Sequence, residues 1–412
     1  MIKESELINQ SDIEQITKRG VKEIISEREF IAMLTSGKKL RLKMGFDPSR
    51  PDIHLGHVVG LRKLRQLQNL GHQVILIVGD WTAQIGDPSG QSVTRPMLTH
   101  DQVVENAESY MRQFFQIVDK DKTQVEWQSE WFGNFTLADI LSLTSKFTVA
   151  QFLERDDFAK RFKEHKPIAI TELLYPLLQA YDSVAIESDV EFGGTDQMFN
   201  LLVGRELQGI MGLKPQQCFL MPILVGTDGI QKMSKSLGNY IALEETPSEM
   251  YGKVMSLPDD LIVPYFEYLT DVDDKTLNQI IQDMLSPSVN PMSFKKQLAW
   301  DITAGFHGSQ LANESQSSFE SVIQGGHVPD DIPVFDLSNI LDSDDRSTIR
   351  LLVSSGLASS TSEAKRLVNQ GAVELIRDLS GQTLNNNENV TWTDGDVIKV
   401  GKRRFIKLIS QD

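Results

Sequence analysis

The sequence predicts an α/β fold built on a parallel sheet, and three observations lead there. Residues 40–46 (LRLKMGF) alternate loosely, as a strand does. A loop with Pro48 and Pro51 follows, then a helical pattern from about His54 to Leu70, with Gly71 as its stop signal. Gln73–Gly79 (QVILIVG) is then apolar almost throughout, the pattern of a strand covered on both faces. Strand, helix and parallel strand in that order require a crossover connection, which is right-handed in such units.

The alternation resumes further on. Thr171–Ile186 reads as a helix, a short strand ends in Gly193-Gly194, a helix starts at Thr195, and Cys218–Val225 is an apolar run. From Thr246 to about Gln324 the pattern is mainly helical, and Gly325–Pro333 (GGHVPDDIP) reads as a linker. From about Asp345 two short helices are expected, then strand-like segments around Val390, Val397 and Phe405, with a turn at Asn385-Asn386-Asn387. A chain of 412 residues accommodates two or three such domains.

Composition narrows the function. The longest aliphatic run, Val74–Val78, is far short of the ~20 residues that cross a bilayer, so no membrane association is expected. The N-terminus is polar and acidic, unlike a secretory signal. A single cysteine, Cys218, excludes an internal disulfide and thiolate metal sites, and points to reducing cytoplasm. Net charge is 41 − 57 = −16, which argues against indiscriminate coating of nucleic acid. That charge is uneven: Leu341–Asp412 holds ten acidic and ten basic residues, so the neutral tail suggests a module with a different partner.

Two loops carry the chemistry. In PSRPDIHLGH, His54 and His57 share one face of a first helical turn, where unpaired N–H groups and positive potential suit phosphate. Gly56 between them lets a flat ring approach the backbone. Two surface histidines are the plainer alternative, and a two-histidine metal site lacks a carboxylate at helical spacing. The second loop, Lys232-Met233-Ser234-Lys235-Ser236, sits between Gly229 and Gly238 and offers two ammonium groups as a mobile cationic clamp. A solvated Lys/Ser loop would explain either lysine alone. Tyr175, Gln179 and Asp182 lie on one helix face, and an Asp on an otherwise apolar helix needs a partner if buried. Gly193-Gly194-Thr195-Asp196-Gln197 and Gly86-Asp87-Pro88-Ser89-Gly90 each follow a strand, where open α/β sheets bind ligands.

HLGH and KMSKS together resemble the paired signatures of class I aminoacyl-tRNA synthetases, and with YPLLQAYD and GGTDQ the stretch from about Lys43 to Gly238 is similar to the bacterial tyrosyl-tRNA synthetases. The resemblance implies a Rossmann-like catalytic domain over 1–240, an α-helical anticodon-side domain over 241–325, a linker over 326–344 and a small α+β domain over 345–412. It implies that His54 and His57 stabilise the ATP phosphates beside Gly56, and that Lys232 and Lys235, with Ser236, close over the departing pyrophosphate. Asp182 would accept from the substrate hydroxyl, Tyr175, Gln179 and Asp87 would hold the α-ammonium, Gln197 would lie near the carboxylate, and Gly193 and Asp196 would contact the ribose. It further implies L-tyrosine, ATP with Mg²⁺ and tRNA(Tyr) as reactants, no protein-bound structural metal, and a homodimer.

Two positions depart from that pattern. Lys43 stands where many members carry a second pocket tyrosine, and either pairs with Asp80 or reaches the pocket; Gln91 replaces a frequent basic residue, although Arg95 is present. The C-terminal stretch resembles the RNA-binding domain named after ribosomal protein S-four, with Arg346, Arg350, Lys365, Arg366, Lys402, Arg403 and Arg404 as its cationic candidates. Tryptophanyl-tRNA synthetase, or a non-catalytic RNA-binding relative, remains as an alternative; the YxxxQxxD helix and the tail favour tyrosine.

Overall fold

The computed structural model describes residues 8–49, 53–89, 98–286, 288–321, 332–338, 347–377, 380–384, 390–401 and 404–410. The chain divides into two units, Met1–Ser309 and Gln310–Asp412. Among the described residues no helix is long and apolar enough to cross a membrane.

The first unit is built on a six-stranded sheet. Its strands are β1 (Glu23–Ile24), β2 (Arg41–Phe46), β3 (Gln73–Val78), β4 (Thr123–Trp127), β5 (Val190–Gly194) and β6 (Gln217–Met221), in the order β1-β6-β5-β2-β3-β4. All neighbours are parallel except the short edge strand β1, which runs antiparallel to β6. β3 explains its own apolar run: it lies between β2 and β4, and Val74, Ile75, Leu76 and Ile77 are each wholly buried. β4, at the other edge, is only half-buried and carries Thr123, Gln124 and Glu126, so its sequence does not announce a strand. Gly71 ends the helix Leu55–Asn69 with φ +94°, a conformation that glycine adopts without strain.

Strand order locates the site. From β2 the chain moves outward through β3 and β4, then returns to the opposite side of β2 to form β5 and β6. The reversal falls between β2 and β5, and a crevice opens there at the carboxyl ends of the strands. The helices Pro247–Met255, Ile262–Leu269, Asp274–Met284 and Pro291–His307 belong to the same unit, and Ile262–Leu269 packs against Leu55–Asn69.

The second unit contains β7 (Val334–Asp336), β8 (Val373–Arg377), β9 (Ser380–Thr383), β10 (Val397–Val400) and β11 (Arg404–Ile409), in the order β7-β11-β10-β8-β9. Helices Thr348–Ser354 and Thr361–Asn369 share its core through Leu351, Leu352, Ala364 and Val368, which meet Val373, Ile398 and Leu408. Two sequence expectations need correction. The segment around Val390 is not a strand: Thr393 donates its N–H to Asp396, whose carboxylate is clamped by Arg377, and this turn overrides the β-branched composition. Val334–Asp336, inside the expected linker, instead pairs in parallel with β11. The turn at Asn385-Asn386-Asn387 lies outside the described residues, as does the expected linker up to residue 331.

Truncating a central β3 side chain tests the packing. Leu76→Ala should lower the unfolding free energy of the first unit by about 2–5 kcal/mol, read as a lower urea midpoint in tryptophan fluorescence; a change under 0.5 kcal/mol, the rough scale of surface substitutions, would contradict a filled core there.

Candidate active site

The N-terminus of the helix Leu55–Asn69 is assembled by its own histidines. His54 is the N-cap, and its Nδ1 accepts from the Gly56 N–H at 3.2 Å; His57 Nδ1 in turn accepts from the His54 N–H at 3.2 Å. The rings lie 4.1 Å apart between centroids. A Cβ on Gly56 would sit 2.9 Å from the His54 ring, so only glycine allows this cap. Burial, then the neighbouring His57, Lys235 and Lys232, lowers the His54 pKa to about 2; burial and Lys235 lower that of His57 to about 4. Both imidazoles are therefore neutral at pH 7. With Nδ1 of His54 accepting, its proton resides on Nε2.

The lysine loop is tied to this turn through the backbone. Leu55 N–H donates to the Ile241 carbonyl at 3.0 Å and Leu243 N–H donates to the Ile53 carbonyl at 3.2 Å, with an antiparallel bridge between His54 and Ala242. Ahead of that ladder, Asn239 clasps the base of the loop, accepting from Ser234 N–H and donating to Asp228 and the Lys232 carbonyl. Lys232 Nζ reaches Asp196 Oδ2 at 3.0 Å, Lys235 Nζ lies 5.9 Å from the centre of the Tyr110 ring, and the Ser234 and Ser236 hydroxyls are 2.9 Å apart.

A cavity of about 360 Å³ opens beside these loops, with Asp87, Tyr175, Gln179, Asp182, Gly193 and Gln197 in its wall. Gln197 Nε2 donates to Asp87 Oδ2 at 2.7 Å, joining the loop after β3 to the turn after β5. Tyr175 donates its hydroxyl proton to Asp47 Oδ2 at 2.7 Å, and burial, followed by the Asp47 charge, holds its pKa well above the usual phenol value. Asp182 is 2 % exposed and accepts from Gln128 Nε2 at 2.9 and 3.1 Å. Burial pushes its pKa up to about 7, with Lys43 and the Gln128 bond opposing the rise.

Several contributors escaped the sequence reading. Asp47 follows β2 and binds both Tyr175 and Thr82. Gln128 follows β4, and its Oε1 accepts from Thr82 N–H at 3.0 Å while its amide serves Asp182. Each sits just past the carboxyl end of a parallel strand, a signal that becomes readable only once strand order is known. Lys43 needs correction: it does not pair with Asp80 and does not line the cavity. Its ammonium meets Glu191 at 2.9 Å, whereas Asp80 accepts from Ser129 N–H.

Of the cationic candidates in the second unit, Arg350, Lys365, Arg366 and Arg404 are exposed. Arg404 bonds the Leu357 carbonyl and lies 3.7 Å from Glu363, which places it beside the helix of Lys365 and Arg366. Arg346, Lys402 and Arg403 lie outside the described residues, as do Gln91 and Arg95.

A crevice at the switch point of a parallel sheet, with neutral imidazoles on one lip and ammonium groups on the other, defines a nucleotide-handling α/β protein. A model of the tRNA synthetases of class I (W and Y) matches residues 35–324. A tyrosine–tRNA ligase of Dehalococcoides mccartyi strain CBDB1 is 58% identical across 98% of this chain and 100% of its own length, and one of Thermotoga maritima is 51% identical across 96% of each. Among solved structures, a tyrosyl-tRNA synthetase of Archaeoglobus fulgidus complexed with L-tyrosine has a TM-score of 0.60 at 24% identity, covering 74% of this chain and 99% of its own. A C-terminally truncated mitochondrial tyrosyl-tRNA synthetase of Aspergillus nidulans scores 0.64 at 19% identity, covering 76% and 94%. The chain belongs to the class I tRNA synthetases, on the tyrosine branch of that family.

A carboxylate that titrates near neutrality should make the binding of a hydrogen-bond donor to it pH-dependent. A phenol donating to Asp182 favours its ionised form, so tyrosine affinity should fall as pH drops through about 7, by up to about tenfold for each unit below. Calorimetry at pH 7 in buffers of different ionisation enthalpy should show proton release on binding; proton uptake, or affinity constant from pH 8 to 6, would contradict the assignment of Asp182.

Proposed function

We propose that this protein activates L-tyrosine with ATP to tyrosyl-adenylate and pyrophosphate, and then passes the tyrosyl group to the terminal ribose of tRNA(Tyr), the activity of a tyrosine–tRNA ligase. The observation that carries the reading is the backbone ladder between Ile53–Leu55 and Ile241–Leu243, which sets the imidazole pair and the ammonium pair around one crevice. The tyrosine carboxylate attacks the α-phosphorus in line and the bond to pyrophosphate breaks. No protein nucleophile is needed, since the attacking carboxylate is already ionised; alignment and charge placement supply the rate.

Each side chain then has a distinct task. His54 and His57, being neutral, act as N–H donors to phosphate oxygens rather than as cations. Positive charge comes from Lys232 and Lys235, with Ser236 assisting. Lys232 is held by Asp196 in this structure, so a ribose hydroxyl that engages Asp196 beside Gly193 frees the ammonium for the departing pyrophosphate. Mg²⁺ enters with the nucleotide phosphates. Tyr175 points its hydroxyl hydrogen at Asp47, so the lone pairs of its oxygen are left to accept from an α-ammonium; the Gln179 amide oxygen and Asp87 would complete that seat, and Gln197, bonded to Asp87, would lie near the carboxylate. Phenylalanine would offer Asp182 no hydroxyl and leave Gln128 as its donor, a costly outcome for a carboxylate in a buried site.

Transfer to tRNA draws on the second unit, where Arg350, Lys365, Arg366 and Arg404 offer cations to a phosphate backbone. A homodimer is supported by apolar exposure in the segment after β4: Leu137 and Leu141, one turn apart on a helix, are 74% and 60% exposed, and Phe162 is 64% exposed.

Amino-acid-dependent ATP–pyrophosphate exchange tests the reading. Tyrosine should drive exchange with a kcat/KM orders of magnitude above that of phenylalanine or tryptophan; exchange driven preferentially by tryptophan, or none with tyrosine, would overturn it. Lys235→Ala should lower kcat by a hundredfold or more, on the order of 3 kcal/mol, with tyrosine KM little changed; a large KM rise at normal kcat would remove Lys235 from its transition-state role.

A further inference from the structure

Lys43 is wholly buried on β2, yet its ammonium is fully satisfied. It donates to the Gln179 carbonyl at 2.8 Å and the Ser183 hydroxyl at 2.7 Å, and pairs with Glu191 Oε1 at 2.9 Å. Glu191 is its register partner on β5 and accepts in addition from Gln179 Nε2, Ser183 Oγ and Gln216 Nε2. Most of these bonds end on one turn of the helix Ile170–Ala185. Residues 179 and 183 bracket Asp182, so the pair pins the turn that presents the carboxylate to the cavity.

The pair also sets the local field. Asp182 faces Lys43 from β2, Glu191 from β5 and Tyr175 from its own helix, and it accepts from Gln128 beyond β4. Lys43 is the cation that opposes its desolvation, and Glu191 acts in the reverse sense. An ion pair this deep is costly to desolvate, and apolar residues of similar volume would often serve stability as well or better. Stability alone therefore does not account for the pair.

Building on the tyrosine-activating reading above, we propose that Lys43 is a specificity-determining positioning residue: together with Glu191 it fixes the Asp182 turn and keeps a cation opposite that carboxylate, so that the site selects a phenol over a phenyl ring. A second tyrosine in the pocket is then unnecessary, because discrimination is enforced from beneath the pocket and not from its wall.

The test compares wild type, Lys43→Met and Lys43→Met/Glu191→Gln in tyrosine- and phenylalanine-dependent pyrophosphate exchange from pH 6 to 9. In Lys43→Met at pH 7, kcat/KM for tyrosine should fall about fivefold or more, the loss of ionised Asp182 that a rise of about one unit from a pKa of about 7 demands. Phenylalanine should hold or rise, and the tyrosine loss should shrink toward pH 9. The double variant, which removes both charges of the ion pair, should show an acid limb between those of wild type and the single variant; it decides the matter if the single variant does not fold. A tyrosine-to-phenylalanine ratio and acid limb unchanged in the folded double variant would overturn the proposal, as would equal losses for both amino acids at every pH. Wild type lacking tyrosine-dependent exchange would instead refute the activity itself.

Discussion

Two backbone hydrogen bonds hold the two loops of the crevice together. Leu55 to Ile241 and Leu243 to Ile53 stitch the strand-to-helix turn after β2 to the chain leaving the lysine loop, nearly two hundred residues later in sequence. Main-chain pairing of this kind is indifferent to side-chain rotamers, so the relation between the two loops survives motion of the lysines themselves. The loop is firm at its base, where Asn239 clasps it and Met233 is buried, and exposed at Ser236 and Leu237. A hydrogen-bonded base with an exposed crest is what the proposed phosphate clamp would need.

Charge in the crevice is arranged by burial as much as by residue type. The histidines are driven neutral by desolvation and by the ammonium groups nearby, which makes them directional donors. Asp182 is driven the other way, toward protonation, and is held near its ionised state by a cation from an adjacent strand. The same low-dielectric environment thus gives one part of the crevice neutral donors and another a carboxylate balanced between states.

Much of this was legible in the sequence because it is local. The apolar run of β3, the glycine stop at Gly71 and both loops identify themselves within a few residues. The partners were not legible, since they depend on strand order. Lys43 faces Glu191 only because β5 returns to lie beside β2, and a reading along the chain reached for Asp80, the nearest acid after β3. Gln128 was hidden by the half-polar edge strand β4, and Asp47 by its place in an ordinary Asp-Pro turn. In the second unit, β8 and β9 passed unnoticed while Val390 was read as strand, because β-branched composition cannot distinguish a strand from a turn that packs its apolar side chains inward.

A structure with a non-hydrolysable sulfamoyl analogue of tyrosyl-adenylate would show directly how the crevice holds the adenylate. The phenol oxygen should lie on Asp182, the sulfamoyl group at the imidazole Nε2 atoms and the ribose on Asp196, with Lys232 released. An analogue seated with its aromatic ring away from Asp182, or with the sulfamoyl group out of reach of both histidines, would contradict this arrangement.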